Sequence, residues 1–253
     1  MNFENKVAII TGASSGIGAA TAKLFAKEGA DVVIVGRNEA NLAKIAEEIK
    51  KIGDTPLVVQ ADVSKEDEAK SIIDKTVAKY GKIDILVNNA GFSRLASILQ
   101  GDILKAFDEI MITNVRAIVH LTALAAPHLI KTKGNIINVS SASGLTTPLA
   151  PGSISYSVSK AAVIHFTKGA ALELSEHGVR VNVVSPGPVD TDFTKNSNLQ
   201  YSMRDYAPKM PLKRISEAEE IADVILFLAS DKARGITGSN FVSDDGFLLG
   251  MVN

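Results

Sequence analysis

The chain has no cysteine in 253 residues. That excludes disulfides, zinc–thiolate centres and a thiol nucleophile, and it fits a reducing compartment. Its histidines are sparse as well: His120, His128, His165 and His177 fall at spacings that suit packing or surface roles, so no metal is expected. An excess of one charge is missing too. Lys and Arg total 27 against 28 Asp and Glu, which removes the electrostatic case for nucleic acid or an anionic membrane surface. No Pro/Ser-rich linker, charge block, low-complexity tract or clear internal repeat divides the sequence. No apolar run approaches the roughly 18 residues of a membrane span. Met1-Asn-Phe-Glu-Asn-Lys6 leads straight into an apolar stretch, an opening unlike a secretory leader. With 46% hydrophobic residues, the expectation is one cytoplasmic domain over residues 1–253, acting on a small molecule.

What is present is glycine punctuation between short apolar runs. Val7 to Ile10 reads as a strand, followed by Thr11-Gly-Ala-Ser-Ser-Gly-Ile-Gly18 and then by Ala19, Ala22, Phe25 and Ala26 at helical spacing. Strand, glycine turn and helix in this order form a dinucleotide signature. Gly12 lets the chain turn, Gly16 lets the backbone approach a pyrophosphate at the helix N-terminus, and Gly18 lets the helix pack close on the sheet. A second strand, Asp31 to Val35, ends at Gly36-Arg37-Asn38 without the acid that usually holds a ribose 2′-hydroxyl. Arg37 is read as a fork for a 2′-phosphate or, less specifically, as a solvated loop arginine.

The alternation continues. A helix is expected over Asn41 to Ile52, a strand over Leu57 to Val59 ending at Ala61-Asp62-Val63, and a Ser64-capped helix to Tyr80 with Gly81 as its stop. Further strands are expected over Ile83 to Val87, Ile136 to Val139, Val179 to Val184 and Asn240 to Ser243. Strands alternating with helices imply an α/β, Rossmann-like, doubly wound parallel sheet with helices on both faces. The motifs at the strands' carboxyl ends should then meet in one crevice.

Tyr156-Ser-Val-Ser-Lys160 opens another helix, and its four-residue spacing puts the phenol and the ammonium on one face. An ammonium beside a phenol favours the phenolate. Serine hydroxyls at the end of the preceding strand, in Val139-Ser-Ser-Ala-Ser-Gly144, could hold a carbonyl or alcohol oxygen against it. Anchoring on the strand end selects Ser141, whereas counting back from Tyr156 lands on Ser143. The loop Leu145-Thr-Thr-Pro-Leu-Ala-Pro-Gly152 can absorb the difference, because surface loops tolerate insertions and strand positions do not.

Thr11-Gly-x-x-x-Gly-x-Gly18, Asn88-Asn-Ala-Gly91, Asn114, the serine-to-Tyr-x-x-x-Lys stretch and Ser185-Pro-Gly187 together resemble the short-chain dehydrogenase/reductase family. The opening is similar to bacterial 3-oxoacyl-acyl-carrier-protein reductases. The resemblance implies a seven-stranded, doubly wound fold, commonly a homotetramer, with NADP(H) as cofactor. It implies cofactor contacts from Gly12, Ser14, Ser15, Gly16, Ile17 and Gly18, from Arg37, and from Asp62 and Val63 around the adenine. Asn89 would follow on the adenosine side, Gly91 would be a further cofactor contact, and Val189 and Thr191 would meet the nicotinamide. Tyr156 would be the general acid or base, with Ser141 on the substrate oxygen. Lys160 would bind ribose and lower the tyrosine pKa, and Asn114 would hold a water linked to Lys160. Two departures stand out: Ser15 occupies a place where many NADP-dependent members are basic, and Asp245-Gly246-Phe247 replaces the usual Asp-Gly-Gly.

The segment 112–130 and the helix after Tyr156 are apolar on more than one face, which suggests a subunit contact or a thick core. The connection from Val189 to Leu212 carries Phe193, Leu199, Tyr201, Met203, Tyr206 and Met210, suiting either a lid over a bulky apolar substrate or a surface packed on a neighbour. Ser216-Glu-Ala-Glu219 reads as a capping box for the helix to Ala229. The function expected is interconversion of a ketone and a secondary alcohol with NADP(H). The alternatives are reduction of a 3-oxoacyl thioester, against whose carrier-protein form Glu173 and Glu176 argue from a helix end expected beside the entrance, and a catalytically silent cofactor-binding protein.

Overall fold

A computed structural model of the chain describes residues 1–148 and 151–251. Leu149 and Ala150, within the loop expected to absorb the serine–tyrosine spacing, lie outside the described residues. Seven parallel strands form the main sheet: β1 (Val7–Thr11), β2 (Asp31–Gly36), β3 (Leu57–Gln60), β4 (Ile85–Asn88), β5 (Asn135–Val139), β6 (Arg180–Pro186) and β9 (Asn240–Ser243). A two-stranded parallel pair, β7 (Val189–Asp190) and β8 (Ser216–Glu217), is separate. The order β3-β2-β1-β4-β5-β6-β9 reverses direction between β1 and β4. Open α/β sheets bind ligands at that switch point, outside the carboxyl ends of the strands.

Alternation along β1 divides the core into two layers. Ala8 and Ile10 face the layer made by α1 (Gly16–Lys27), α2 (Glu39–Ile49) and α8 (Ala218–Ala229). Val7 and Ile9 face the layer made by α3 (Glu66–Tyr80), α5 (Ala117–Thr132) and α6 (Ile154–Ser175). Each fully buried Ile or Val contributes on the order of 1.5–3 kcal/mol. The strands are therefore apolar on both faces, which is why they read as continuous runs in the sequence.

Helix α4 (Ile103–Met111), a π-helical turn at Ile112–Arg116 and α5 run as one 30-residue helix. By length and mean hydropathy it meets the test for a membrane span, although the sequence shows no unbroken apolar run. It is a core helix: Ile110, Ala117, Leu121, Ala125 and Leu129 are buried within the fold. The surplus apolar residues are on the outside, where Leu104, Ile112, Val119, Val158 and Leu172 are exposed.

Three helix starts differ from expectation. Ser64 does not cap α3; its hydroxyl donates to the Asp62 carboxylate at 2.7 Å, and Lys65 takes the N-cap place. Asn38 caps α2 by accepting from the Asn41 N–H, so that helix starts earlier than Asn41. At α8 the capping box is Glu217 with Glu220, one residue later than Ser216 with Glu219, because the Ser216 hydroxyl donates to Asp245 at 2.7 Å. The Val189–Leu212 connection is not structureless. It contains β7, the short α7 (Phe193–Asn196) and a 3-10 helix at Met203–Lys209.

Candidate active site

The glycine turn is built by close approach. Gly12 has φ +67°, a backbone region that side chains disfavour. A Cβ on Gly18 would lie 2.4 Å from the Gly12 carbonyl oxygen and 2.5 Å from Asn89 Nδ2. Gly18 thus brings α1 onto the turn itself and onto the segment after β4, rather than onto the sheet as expected. Thr11, which sequence reasoning passed over, ties the two strand ends together. Its hydroxyl accepts the N–H groups of Asn89 and Ala90 at 3.0 and 3.1 Å and donates to the Val87 carbonyl. The Asn89 amide donates back to the Thr11 carbonyl at 2.9 Å.

Helix α1 begins at Gly16, and its N-cap Ser15 makes no side-chain capping bond. Its first turn carries no acidic residue. The first N–H groups of the helix therefore lack a side-chain acceptor, a setting that favours an anion. Across the crevice, Arg37 is 72% exposed and its guanidinium is 3.9 Å from the Asp62 carboxylate. Burial pushes the Asp62 carboxyl up, but hydrogen bonds from Ser64 and the charges of Arg37 and Lys65 outweigh it and hold the group below its ordinary value.

At the other end of the crevice, β5 delivers Ser141 and α6 delivers Tyr156 and Lys160. Ser141 is the N-cap of a 3-10 turn, Ala142–Gly144, and its hydroxyl accepts the Ser143 N–H at 3.1 Å. That turn packs directly on α6: a Cβ on Gly144 would lie 2.7 Å from the Ala161 nitrogen. Burial pushes the Tyr156 phenol up to about 12, against a hydrogen bond from Ser141 that pulls it down and the nearby Tyr201, which adds to the rise. Lys160 donates to the Val139 carbonyl at 2.9 Å and sits 5.7 Å from the centroid of the Tyr156 ring. Burial lowers its ammonium to about 8. The expected depression of the tyrosine pKa by Lys160 is not seen; desolvation of the phenol is the larger effect.

Asn114 is fully buried in the π-helical turn. Its Oδ1 accepts the Phe92 N–H at 3.1 Å, and its Nδ2 donates to the Phe92 carbonyl at 2.9 Å and to the Ser159 hydroxyl at 3.1 Å. The Ser159 hydroxyl in turn donates to the Tyr156 carbonyl at 2.7 Å. Asn114 thus fastens the segment after β4 to the helix that carries Tyr156.

One cavity of about 480 Å³ joins the two ends. It is lined by Gly12, Ser14, Ser15, Gly16, Ile17, Arg37, Asp62, Val63, Asn89 and Gly91, and further on by Ser141, Tyr156, Lys160, Val189 and Thr191. Of the expected site residues, Gly18 and Asn114 do not line it and act from behind.

The sequence profile described as "Enoyl-(Acyl carrier protein) reductase" matches residues 12–248. The chain is 39% identical to the 3-oxoacyl-[acyl-carrier-protein] reductase FabG of Thermotoga maritima, over 98% of this chain and 100% of the relative. It is 37% identical to the A-factor type gamma-butyrolactone 1′-reductase (1S-forming) of Streptomyces virginiae, over 97% of this chain and 96% of the relative. The crystal structure of a short-chain dehydrogenase from Burkholderia cenocepacia in complex with NADP superposes with a TM-score of 0.89 at 32% identity, covering 97% of this chain and 99% of that one.

The chain belongs to the short-chain dehydrogenase/reductase family. It is an oxidoreductase acting on the CH–OH/C=O pair. A nicotinamide dinucleotide, the family's cofactor, fits the residues of this dehydrogenase/reductase on three counts. The turn has no room for Cβ atoms at Gly12 and Gly18, the α1 N-terminus is uncapped by side chains, and a guanidinium stands at the end of β2.

Sequence reasoning placed Phe193 among the lid or subunit-contact residues of 189–212 and marked Phe247 as a departure, but it missed Ser93, Ser197 and the pairing of Asp190 with Arg204. Phe193 packs on the Tyr156 ring at 5.6 Å between centroids. Ser197 accepts the Ser93 N–H at 3.0 Å, both residues being buried, which ties the 189–212 segment to the stretch after β4, and Arg204 pairs with Asp190 within the segment. Phe247 lines the cavity from the C-terminal side. None carries a motif. The available signals were the aromatic and methionine content of the 189–212 connection and the departure from Asp-Gly-Gly that puts a phenylalanine at 247. Glu173 and Glu176 do not lie near the entrance of their own chain's crevice. At 1.5 Å per residue, Glu173 is about 25 Å along α6 from Tyr156.

Proposed function

We propose that this protein is an NADP(H)-dependent carbonyl reductase that converts a bulky, uncharged, apolar ketone to a secondary alcohol. The observation that carries this reading is the distribution of charge in the cavity. Its charged lining residues are Arg37, Asp62 and Lys160, all on the dinucleotide side or at the centre. The remaining wall is made by Phe92, Leu95, Phe193, Leu199, Tyr201, Met203, Tyr206 and Phe247, with serine hydroxyls between them. A substrate with a buried carboxylate or phosphate would find no counter-charge there.

When bound, the dinucleotide supplies a hydride to the carbonyl carbon. The chain's own residues handle the oxygen. Ser141 and Tyr156 hold it, and the phenol gives up its proton as negative charge develops. Burial pushes the Tyr156 phenol up to about 12, so it is protonated at neutral pH and carries the proton that a developing alkoxide takes up. Lys160 places a positive charge beside it, and Asn114 and Ser159 keep the tyrosine helix and the Phe92 segment in register. Arg37 is the group offered to a 2′-phosphate. The exposed apolar residues of α4, α5 and α6 support assembly as a tetramer, and the lack of cysteine suits a cytoplasmic site of action.

The likeness to FabG favours one alternative, reduction of a 3-oxoacyl thioester. Oxidation of NADPH with a panel of cyclic ketones, ketosteroids and acetoacetyl thioesters tests both readings. Highest kcat/KM on a ring ketone supports the proposal; highest kcat/KM on the thioesters transfers the assignment to the alternative. No turnover with any of them, despite NADPH binding, overturns both.

A further inference from the structure

The chain's C-terminal turn contributes one wall of the cavity. Phe247, standing where Gly is usual in the resemblance, is 4% exposed. It forms a small apolar cluster with Ala142, Met210 and Ile215, to which Met203 and Tyr206 add partly buried contacts. Ala142 directly follows Ser141, so the ring lies between the strand end bearing the oxygen-binding serine and the segment that covers the crevice. Phe247 also lines the cavity itself, as Met203 and Tyr206 do.

The turn holding this ring is fixed at several points. Asp244 accepts three N–H groups: Gly246 at 3.0 Å, Phe247 at 2.8 Å and Leu248 at 2.9 Å. Asp245 accepts the Ser216 hydroxyl at 2.7 Å and pairs with Arg214 at 3.4 Å. Its carbonyl accepts the Leu212 N–H at 3.3 Å. A Cβ on Gly246 would come within 3.0 Å of the Pro211 ring. These contacts fasten the main chain beneath Phe247, so the side chain forms the wall presented to the cavity.

We infer that Phe247 is a specificity-determining residue: it sets the size of ketone the cavity accepts and supports the covering segment through Met203 and Tyr206. This rests on the carbonyl-reductase reading above. Removing a ring from an apolar pocket changes discrimination between substrates differing in bulk by about tenfold or more.

The test compares wild type with Phe247→Leu, Phe247→Ala and Phe247→Trp on cyclohexanone, 1-tetralone and a tetracyclic ketosteroid. Two readouts are taken: kcat/KM with NADPH, and the Kd of each ketone for the protein saturated with NADP. Phe247→Ala should raise the ratio of the largest to the smallest ketone at least about tenfold, Phe247→Leu should raise it less, and Phe247→Trp should lower it. The change should fall on KM and Kd with kcat for the preferred ketone and the Kd of NADPH little moved, an outcome that a merely structural role would not give. If Phe247→Ala fails to fold, the Leu and Trp variants carry the comparison. An unchanged ratio across folded variants overturns the inference while leaving the reaction intact. Ratios that shift in Kd without turnover by any protein sustain the inference and overturn the reaction. Failure of wild type to bind all three ketones overturns both.

Discussion

Replacing Asn114 with Ala removes the joint between the segment after β4 and the tyrosine helix. The side chain makes three hydrogen bonds, two of them to the main chain of Phe92 and one to Ser159. Each neutral hydrogen bond contributes about 1 kcal/mol net, and more where a partner is left unsatisfied. Phe92 is half-buried, so water reaches its freed N–H and C=O in part and the loss stays at the low end for those two bonds. Ala is a better helix former than Asn by up to about 0.7 kcal/mol, which offsets some of the cost. The net destabilisation should be about 2–3 kcal/mol. For a chain of this size that lowers Tm by roughly 4–12 °C. The freed segment carries Gly91, Phe92 and Ser93, all of which line the cavity, so KM should rise for both cofactor and ketone. Thermal unfolding and steady-state kinetics measure the two effects. Ser159→Ala, which removes one bond to Asn114 and one to Tyr156, serves as a milder control and should cost no more than about 1–2 kcal/mol. A Tm within about 1 °C of wild type together with unchanged KM values would show that Asn114 does not hold the segment.

Arg37→Ala should shrink a preference for NADPH over NADH by about tenfold through KM for NADPH. A charge-assisted hydrogen bond is worth about 1.5–3 kcal/mol, and the exposure of Arg37 puts it at the low end; an unchanged cofactor ratio would mark the residue as merely solvated. Ser141→Ala should lose at least about a hundred-fold in kcat, the scale of one missing oxyanion donor, and Ser143→Ala far less. The reverse order would show that the wrong serine is against the substrate oxygen. The pH profile of kcat/KM for NADPH, which reports the free enzyme, should fall as pH rises through about 8, where burial places the Lys160 ammonium. The sign follows from the protonated lysine being the working form, while the Tyr156 phenol, pushed up to about 12, keeps its proton throughout. A profile flat across that region would detach Lys160 from the reaction.

The elements were legible where local pattern and tertiary environment agree. Strands buried on both faces read as unbroken β-branched runs, and the glycine turn between β1 and α1 stood out because close approach leaves no room for Cβ. Helix starts were less legible, since a capping serine is recruited by whatever lies near it in the fold. Ser64 turns to Asp62 and Ser216 to Asp245, twenty-nine residues away, which no local window contains. The reason for Asn114 was also hidden. It depends on a π-helical turn and on Phe92, twenty-two residues earlier in the chain. The polar chemistry was announced by spacing, as with Tyr156 and Lys160 on one helical face. The apolar wall was announced only in part: the aromatic and methionine content of 189–212 suited a lid or a subunit contact equally, and Phe247 stood out as a departure from Asp-Gly-Gly without any local pattern giving its place in the cavity. The expectation about Lys160 and the phenol assumed that proximity of charge governs the pKa, whereas in the folded cavity desolvation is the larger effect.

The account depends most on Tyr156 being the group that exchanges a proton with the substrate oxygen. Tyr156→Phe removes that hydroxyl and leaves the ring, its packing on Phe193 and the Lys160 contact with Val139 in place. Measuring the NADPH Kd by fluorescence and kcat on the best ketone separates binding from proton transfer. The account predicts a Kd within a few-fold of wild type and turnover reduced by at least about a hundred-fold, the scale of a lost general acid. A Tyr156→Phe protein that retains substantial kcat would contradict it.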